Sequence, residues 1–533
     1  MSKQVNIFDT TLRDGTQGER VCFSAEDKLR IARRMDELGF HYIEGGWPGS
    51  NPRDMAFFDL AKNVTFKNSK IVAFGSTARY GNSVQDDPNL KALLEAETPA
   101  VSIFGKTWDL HVTDALGISL EDNISLIYES VSWLKSNERE VIYDAEHFFD
   151  GYKANPEYAI QTLKAAESAG ADNITLCDTN GGTLPGEISE IVSEIRKVIS
   201  CDLGIHAHND GDLAVANSLA AVQSGCNLVQ GTINGYGERC GNANLCSVIP
   251  NLSFKLGFET LRISSLEKLT STSRLVSELA NLLPETRLPY VGDSAFAHKG
   301  GIHVSAVMKN PATYEHLSPE SVGNKRRVLI SDLSGKSNLR FKAEELNVDV
   351  DANKDVLPEI MEALKKREFE GYSYEAAEAS LNLLIRKITE NYQDAVQLKG
   401  FRLLIEKNDT EGSRCEATIR VEANGETEHT AAEGNGPVHA LDQAFRKALI
   451  RFFPEISDMQ LEDYKVRVLN GNNSTASKVR VLVDSSFGTE SWSTVGVSEN
   501  IIEASWEALS DSYSYFLAKF HKQKEVTSHT NIQ

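Results

Sequence analysis

Two histidines stand two residues apart in the segment LGIHAHNDGDL, at the end of a run that reads as a buried β-strand. Side chains at positions i and i+2 of a strand project to the same face, so His206 and His208 point into a common space. Either the two rings fill that space as neutral, hydrogen-bonded groups, or they hold a ligand. Neutral imidazole is a common metal ligand, which makes a metal site one of the two interpretations.

Polar side chains that could complete a metal site follow other predicted strands. Asp14 comes after the first strand, in DTTLRDG, and Asn242 follows the eighth, in NGYGERCGNAN. Two imidazoles, a carboxylate and an amide oxygen form a mixed nitrogen and oxygen set with room for outside ligands, and zinc, manganese, cobalt or magnesium would be compatible with it. Because the set contains no thiolate, we do not expect a closed structural zinc site.

Three further strand-end residues could act on a substrate. Arg13 carries a fixed cationic fork suited to an enolate or carboxylate oxygen, and the alternative is a simple salt bridge to Glu146 or Asp14. Glu146 could be a base or could orient a neighbouring group. The Thr179 hydroxyl could donate to a substrate carboxylate, or it could bond its own backbone in a turn.

The glycine-rich turn after the eighth strand allows another interpretation. Gly235, Gly237 and Gly241 have the spacing GxGxxxG, whereas a dinucleotide-binding loop has GxGxxG, and this turn does not open a βαβ unit. A glycine-rich turn after the last strand of a barrel more often holds a phosphate-bearing ligand. The NAD-binding interpretation is therefore the weaker one.

These residues can lie close together only in a fold that brings the ends of several strands to one place. The sequence alternates short apolar runs with amphipathic stretches such as 25–39, 155–170 and 184–200. Eight βα units over about 255 residues predict an α/β fold of the (β/α)8 TIM-barrel type, with an open doubly wound sheet as the alternative. The predicted strands are 5–8, 42–44, 71–74, 100–104, 141–144, 173–177, 202–206 and 227–232.

The sequence predicts three regions: a TIM-barrel catalytic domain over 1–270, a mainly helical linker subdomain over 271–392, and a C-terminal α+β regulatory domain over 393–525. The linker contains a loop rich in glycine and histidine at 289–307, which suggests that it contributes to the active site, and then a predicted helix at 373–392. The last region reads as two βββα units with helices at 436–453 and 499–520. A shift of 64 residues superimposes Thr430 on Thr494, Ala440 on Ala504 and Ala444 on Ala508, which favours a duplication, with chance similarity as the alternative.

Composition disfavours several classes of protein. The 533-residue chain has a formal net charge of −21, which argues against nucleic acid or anionic lipid as the main partner. No run of about 18 apolar residues indicates a membrane span, and the N-terminal segment lacks the apolar core of a signal peptide. Seven scattered cysteines fit a reducing compartment, so we expect a cytoplasmic protein.

Several motifs together resemble those of the Claisen-condensing α-isopropylmalate, homocitrate and citramalate synthases: DTTLRDG (9–15), HAHND (206–210) and GYGERCGN (235–242). FAHKGGIHVSA (296–306) is similar to their FAH-x-x-G-x-H segment, and TVGVSENIIEASWEALSDS (494–512) to the end of their regulatory domain. EGGWPGSNPRD (44–54) and YDAEHFFDGYKANPEYA (143–159) resemble the citramalate synthase branch. Isopropylmalate synthases usually have a Gly-Phe-Pro segment where Trp47 stands.

The resemblance implies a role for each matching residue. The metal ligands would be Asp14, His206, His208 and Asn242, with Asp14 also contacting the substrate. Arg13 matches the arginine that steadies the enolate or alkoxide, and Glu146 and Thr179 match groups that hold the keto acid. His303 and Tyr314 match residues that reach the site of the partner subunit. His303, alone, with Glu146 or through water, is the leading candidate for the base. Many relatives have serines where Lys299-Gly300-Gly301 precede Ile302-His303 here.

The implied activity is that of an acyltransferase, an (R)-citramalate synthase that joins acetyl-CoA to pyruvate and releases CoA in isoleucine biosynthesis. A divalent metal ion (Mn, Zn, Co or Mg), a homodimer and feedback inhibition by isoleucine are implied with it. The nearest alternative is 2-isopropylmalate synthase, which uses 2-oxoisovalerate in leucine biosynthesis. A metal-dependent aldolase or lyase and a non-catalytic metal-binding scaffold are more distant alternatives. The long C-terminal domain argues against the lyase, and Arg13 and Glu146 argue against the scaffold.

Overall fold

The computed structural model describes residues 4–330, 338–339, 341, 356–374, 377–389, 392–408, 412–469, 477–488 and 490–521. The chain divides into two compact units, one comprising Met1–Phe296 with His316–Arg326 and the other Ala297–Glu315 with Arg327–Gln533. Parts of the predicted linker, residues 375–376 and 390–391 of the helix predicted at 373–392, and residues 522–525 of the predicted regulatory domain lie outside the described residues.

The first unit contains a closed parallel barrel in which the strands follow chain order and the eighth pairs with the first. The TIM-barrel prediction is confirmed, and the open doubly wound sheet is excluded because the sheet has no free edge. All eight predicted strands are present, with small differences at their ends. They are β1 (Asn6–Asp9), β2 (Tyr42–Gly46), β3 (Lys70–Ser76), β4 (Ala100–Lys106), β5 (Glu140–Glu146), β6 (Asn173–Asp178), β7 (Asp202–Ala207) and β8 (Leu228–Gly231).

Side chains at alternate strand positions fill the barrel interior in layers. The lower layer is an apolar cluster that comprises Phe8, Val72, Ala100, Ile142 and Leu228. Two residues further along every strand except β3, which places Phe74 there, the interior turns polar, with buried side chains of Thr10, Glu44, Ser102, Asp144, Thr175, His206 and Gln230. Because barrels usually fill such layers with branched apolar residues, this polar layer marks the floor of a functional site.

Helices cover the outside of the barrel, and those predicted at 25–39, 155–170 and 184–200 are confirmed. The first begins with a capping box between Ser24 and Asp27 and ends at Gly39, whose φ of +92° is left-handed. The helices of this unit are α1 (Ala25–Leu38), α2 (Pro52–Ala61), α3 (Pro88–Glu95), α4 (Leu120–Ser136), α5 (Phe148–Ala154), α6 (Pro156–Ser168), α7 (Pro185–Val198), α8 (Ala214–Ser224), α9 (Leu245–Pro250), α10 (Ile263–Leu266) and α11 (Leu269–Leu279).

The second unit contains two antiparallel three-stranded sheets, each followed by a helix, which confirms the two predicted βββα units. Among the described residues, a short parallel pair of strands and the helices α12 to α14, whose bounds are given below, precede them. The strands are β9 (Ala297–His298), β10 (Arg327–Val328), β11 (Val396–Asn408), β12 (Gly412–Ala423), β13 (Glu426–Gly434), β14 (Gln460–Val468), β15 (Val479–Phe487) and β16 (Glu490–Ser498). The helices are α12 (Gly301–Lys309), α13 (Val356–Glu370), α14 (Glu378–Thr389), α15 (Pro437–Ile450) and α16 (Ile501–Phe516).

The 64-residue shift relates the two βββα units element by element. The strand β13 maps end to end onto β16, and the starts of β11 and α15 map onto those of β14 and α16. Ala440 and Ala504, which the shift superimposes, are both fully buried on the helix face that packs on its own sheet. This correspondence in structure favours duplication over chance similarity. Among the described helices, none combines the length and the apolar character needed to cross a bilayer.

Candidate metal centre and active site

Asp14, His206 and His208 converge at the carboxyl ends of the barrel strands. One ligand-type atom from each lies within 4.8 Å of the other two. His206 Nε2 and His208 Nε2 are 3.3 Å apart, and Asp14 Oδ2 lies 3.5 Å from the first and 3.9 Å from the second. All three residues are buried. Barrel closure produces this arrangement, because β8 pairs with both β1 and β7.

Asn242 approaches the same place from the turn after β8, where its backbone forms an isolated bridge with His208. Its Nδ2 donates to Tyr236 O at 3.3 Å, which leaves Oδ1 as an acceptor. Gly237 has a φ of +154°, and a Cβ at this position would lie 2.1 Å from Asn242 Nδ2. At this position glycine is therefore needed to let the Asn242 carboxamide enter the site.

The unpaired atoms of these residues fit a divalent cation. Asp14 Oδ1 and Asn242 Oδ1 are buried acceptors without a hydrogen-bond partner among the described residues, whereas buried acceptors normally have one. His206 Nδ1 lies 2.8 Å from Gln230 Oε1. This contact places the ring proton on Nδ1 and turns the Nε2 lone pair toward His208 and Asp14. A cation among these lone pairs would satisfy all of them.

Electrostatics keeps these residues in the protonation states that binding of a metal would require. Burial opposes the ionisation of Asp14, but Arg13 and the two histidines outweigh it and lower the pKa of Asp14 to about 2. Burial and the neighbouring His208 lower the pKa of His206 to about 4, and burial lowers the pKa of His208 as well. The site thus combines a carboxylate with neutral imidazoles at neutral pH.

Arg13 is held on three sides. Its Nε donates to Glu44 Oε2 at 2.7 Å and its Nη1 to Asp14 Oδ2 at 3.2 Å, while Cζ lies 3.7 Å above the ring centroid of Phe74. The salt bridge to Asp14 that the sequence suggested is present, but the one to Glu146 is not. Glu146 pairs instead with Lys106, its neighbour on the adjacent strand. The buried anion that fixes Arg13 is therefore Glu44.

Arg13, Asp14 and the two histidines line a cavity of about 230 Å³, together with Thr179. Thr179 Oγ1 accepts a hydrogen bond from His147 N at 2.9 Å, so the Thr179 hydroxyl proton remains available to a ligand. The apolar wall of the cavity consists of Trp47, Phe74 and Phe104, whose ring centroids lie 5.5 to 5.7 Å apart.

His303 and Tyr314 belong to the second unit, where their rings stack with centroids 4.2 Å apart. His303 lies on α12, and Tyr314 follows the short turn after that helix. Both side chains are exposed within this chain, with Tyr314 at 47%. The structure thus brings these two predicted residues together as one stacked pair.

Three family models match the chain in succession: an HMGL-like model over residues 4–276, a homocitrate synthase post-HMGL domain-like model over 290–370 and a LeuA allosteric (dimerisation) domain over 375–517. An (R)-citramalate synthase of Geobacter sulfurreducens is 56% identical, with 98% of each chain covered. One of Aquifex aeolicus is 55% identical over 97% of this chain and 99% of that protein. The chain belongs to the (R)-citramalate synthase family.

Membership of the citramalate synthase family makes the chain an enzyme, an acyltransferase that acts on acetyl-CoA. Enzymes of the HMGL-like family use a divalent metal, in agreement with the convergence of Asp14, His206 and His208. A 2-isopropylmalate synthase of Methanocaldococcus jannaschii is less similar, at 32% identity over 97% of this chain and 96% of that protein.

Sequence reasoning missed several residues of the site. Glu44 appeared only within a motif typical of the citramalate synthase branch, and Gln230 was not considered at all. Both are polar residues inside apolar strands, two positions beyond an interior apolar residue. Following the interior positions with a period of two along each predicted strand would have identified them.

Proposed function

We propose that the chain is an (R)-citramalate synthase that condenses acetyl-CoA with pyruvate and releases CoA. The observation that carries this proposal is the buried cluster of Asp14, His206 and His208, with Arg13 beside it, in a cavity of about 230 Å³. Such a cavity fits a three-carbon keto acid next to a cation. The names of the relatives indicate the same reaction.

We assign the divalent ion, which we take to be Mn, Zn, Co or Mg, to Asp14, His206, His208 and Asn242. When bound, such an ion supplies Lewis-acid polarisation of the keto carbonyl of the substrate. The residues themselves contribute one negative charge and two neutral rings, so the occupied site stays cationic and attracts the keto-acid carboxylate. The proposed effect of the site is therefore to bind a chelating anion and to orient its carbonyl.

Arg13 stabilises negative charge on oxygen as the new carbon–carbon bond forms. Burial disfavours its charge, but Glu44 and Asp14 outweigh this and raise the pKa of the guanidinium above its usual value, so Arg13 remains cationic. Among the described residues, Nη2 has no protein acceptor, which leaves its N–H groups for an enolate or alkoxide oxygen. A donor fixed in place before the reaction costs little reorganisation when charge develops.

Two further residues hold the keto acid in this proposal. Thr179 donates its hydroxyl proton to the substrate carboxylate, because its oxygen lone pair already accepts from His147 N. Glu146, which lines the same cavity and pairs with Lys106, helps to hold and orient the keto acid. After the condensation, water cleaves the thioester of the product. Hydrolysis of that thioester makes the reaction irreversible.

For the base that removes a proton from the acetyl methyl group, we propose His303 of the partner subunit. Its ring stacks on Tyr314 and is exposed within its own chain, so it is available to a second copy. A homodimer follows from this assignment, and the LeuA allosteric (dimerisation) domain match supports it. We further propose that the tandem βββα units bind isoleucine as an end-product inhibitor and that the enzyme works in the cytoplasm.

The test is release of free thiol from acetyl-CoA in the presence of four keto acids: pyruvate, 2-oxobutyrate, 2-oxoisovalerate and 2-oxoglutarate. We expect pyruvate to have the highest kcat/KM and the product to be (R)-citramalate by chiral chromatography. A preference for 2-oxoisovalerate would instead identify a 2-isopropylmalate synthase. Thiol release that does not depend on any keto acid would contradict the condensation itself.

A further inference from the structure

A buried chain of hydrogen bonds crosses the barrel interior below the metal ligands. His206 Nδ1 contacts Gln230 Oε1 at 2.8 Å, and Gln230 Nε2 donates to Asp144 Oδ1 at 2.7 Å. Ser102 Oγ donates to Asp144 Oδ2 at 2.6 Å. These four residues come from four different strands and are all at most 5% exposed. This series of hydrogen bonds therefore connects Ser102, Asp144 and Gln230 to His206, one ligand of the proposed metal.

The direction of each hydrogen bond follows from its neighbour. A carboxylate only accepts, so Asp144 requires the amide NH2 of Gln230 on its side. The Gln230 carbonyl then faces His206, whose Nδ1 must carry the proton. Burial, with Glu44 nearby, raises the pKa of Asp144 to about 7, but a proton on Oδ2 could be accepted by Ser102. The hydrogen bond between Ser102 and Asp144 would then reverse, but Oδ1 would still accept from Gln230, so the order of donors and acceptors from Asp144 to His206 is the same in either state.

We infer that Gln230 and Asp144 are positioning residues that hold His206 in its Nδ1-protonated tautomer, with the Nε2 lone pair directed to the metal position. The opposite tautomer would place two acceptors, His206 Nδ1 and Gln230 Oε1, 2.8 Å apart in a buried site. Both residues act through His206 and need no contact with the ion. This inference rests on the proposed function only in taking Asp14, His206 and His208 as ligands of a divalent metal.

A packing role alone would not require a carboxamide at position 230. The alternating interior positions of the layer below are apolar, and Leu228, two residues earlier on β8, belongs to that apolar cluster. Gln230 is 1% exposed, and its hydrogen bonds lead to Asp144, His206 and, at 3.4 Å, Thr175. A buried amide whose carbonyl oxygen and NH2 group each have a matching partner fixes the orientation of the groups on both sides.

The first experiment needs no substitution at the inferred residues. In full-length metal-free protein labelled with ¹⁵N-histidine, NMR reports the tautomer of each ring, and the His206→Gln variant identifies the signals of His206. We expect an Nδ1–H, Nε2-lone-pair tautomer for His206 in the wild type. An Nε2–H tautomer would overturn the inference, whether or not any variant folds.

The second experiment measures Co²⁺ affinity by competition with a chelator. Gln230→Met keeps the shape of the side chain and removes its hydrogen bonds, including those to His206 and Asp144, and we expect it to weaken Co²⁺ binding about 10- to 100-fold. In the double variant Gln230→Glu with Asp144→Asn, the carboxylate at position 230 accepts from His206 Nδ1–H. It also accepts from the amide NH2 group that the second substitution introduces at position 144. We expect its affinity to lie within about threefold of the wild type. Unchanged affinity in Gln230→Met, or no recovery in a folded double variant, would overturn the inference.

Asn324→Leu is the matched control, because it removes a buried amide that donates to Tyr290 O and Gly292 O outside the barrel interior. We expect it to lower the unfolding temperature without changing Co²⁺ affinity, and a loss equal to that of Gln230→Met would show a merely structural effect. The competition assay contains neither acetyl-CoA nor a keto acid. Failure of the proposed reaction would therefore be seen in thiol release, separately from failure of this inference.

Discussion

Arg13 and Glu44 form an ion pair inside the barrel mouth, with 2.7 Å between Arg13 Nε and Glu44 Oε2 and no solvent exposure of the Glu44 side chain. Thr10 Oγ1 donates to the same carboxylate oxygen. A pair in this environment is costly to break, because the remaining charge stays buried without its partner. Glu44 therefore holds Arg13 in place, and Arg13 is the cationic side chain to which we assign the stabilisation of the developing negative charge.

We predict that Glu44→Gln lowers the free energy of unfolding by about 3 kcal/mol and kcat/KM for pyruvate about 100-fold, since small displacements of a catalytic group have effects of this size. Denaturant unfolding and steady-state kinetics measure the two effects. Asp36→Asn is the control, because Asp36 is a buried carboxylate that accepts from the backbone N–H groups of residues 67–69. The Asp36→Asn variant should be less stable than the wild type but have the same kcat/KM. A loss of kcat/KM equal to that of Glu44→Gln would contradict a specific role for Glu44.

The convergence of the candidate metal-site residues could be predicted from the sequence because the carboxyl ends of parallel strands meet at one end of a barrel. Asp14, His206 and Asn242 needed only the order of the strands to be placed together. The salt bridge between Arg13 and Asp14 was predicted, but the one between Arg13 and Glu44 could not be, because several carboxylates share the barrel mouth. Whether Glu44 or Glu146 pairs with Arg13 depends on which of the two side chains points toward β1. Glu146 forms an ion pair with Lys106 instead.

The tandem βββα units were predictable for a different reason. Alternating strands and amphipathic helices carry strong local patterns, and Ala440 and Ala504 match because each must be small where its helix packs on its sheet. The stacking of His303 on Tyr314 has no such pattern, since it depends on the turn between them.

Removal of one imidazole should abolish metal binding. We predict that His208→Ala lowers turnover and the affinity for the divalent ion by more than about 100-fold, because a direct ligand matters more than a residue that only supports one. Elemental analysis of the purified protein and thiol release measure the two losses. His429→Ala removes an exposed imidazole of β13 and should change neither. Full activity of His208→Ala would exclude this histidine from the site.

Metal affinity should resist mild acid. Metal binding competes with protons only below the pKa of each ligand, and the pKa of His206 is about 4 and that of Asp14 about 2. The pKa of His208 is also below its usual value because of burial. We therefore predict that Kd for Co²⁺ changes less than about threefold between pH 8 and pH 6.5, and rises only at lower pH. A tenfold rise per pH unit that begins above pH 6.5 would contradict these lowered pKa values.

The aromatic wall of the cavity should determine the size of the keto acid. Phe104 packs against both Trp47 and Phe74, with ring centroids at 5.7 and 5.6 Å, so a smaller side chain at this position opens space at the apolar end of the cavity. One methylene group in a hydrophobic pocket changes discrimination by about 1–3 kcal/mol. We predict that Phe104→Leu raises the ratio of kcat/KM for 2-oxobutyrate to that for pyruvate about tenfold. Phe445→Leu, which shortens a buried side chain of α15 that does not line the cavity, should leave the ratio unchanged, and an unchanged ratio in Phe104→Leu would remove the Phe104 ring from the specificity pocket.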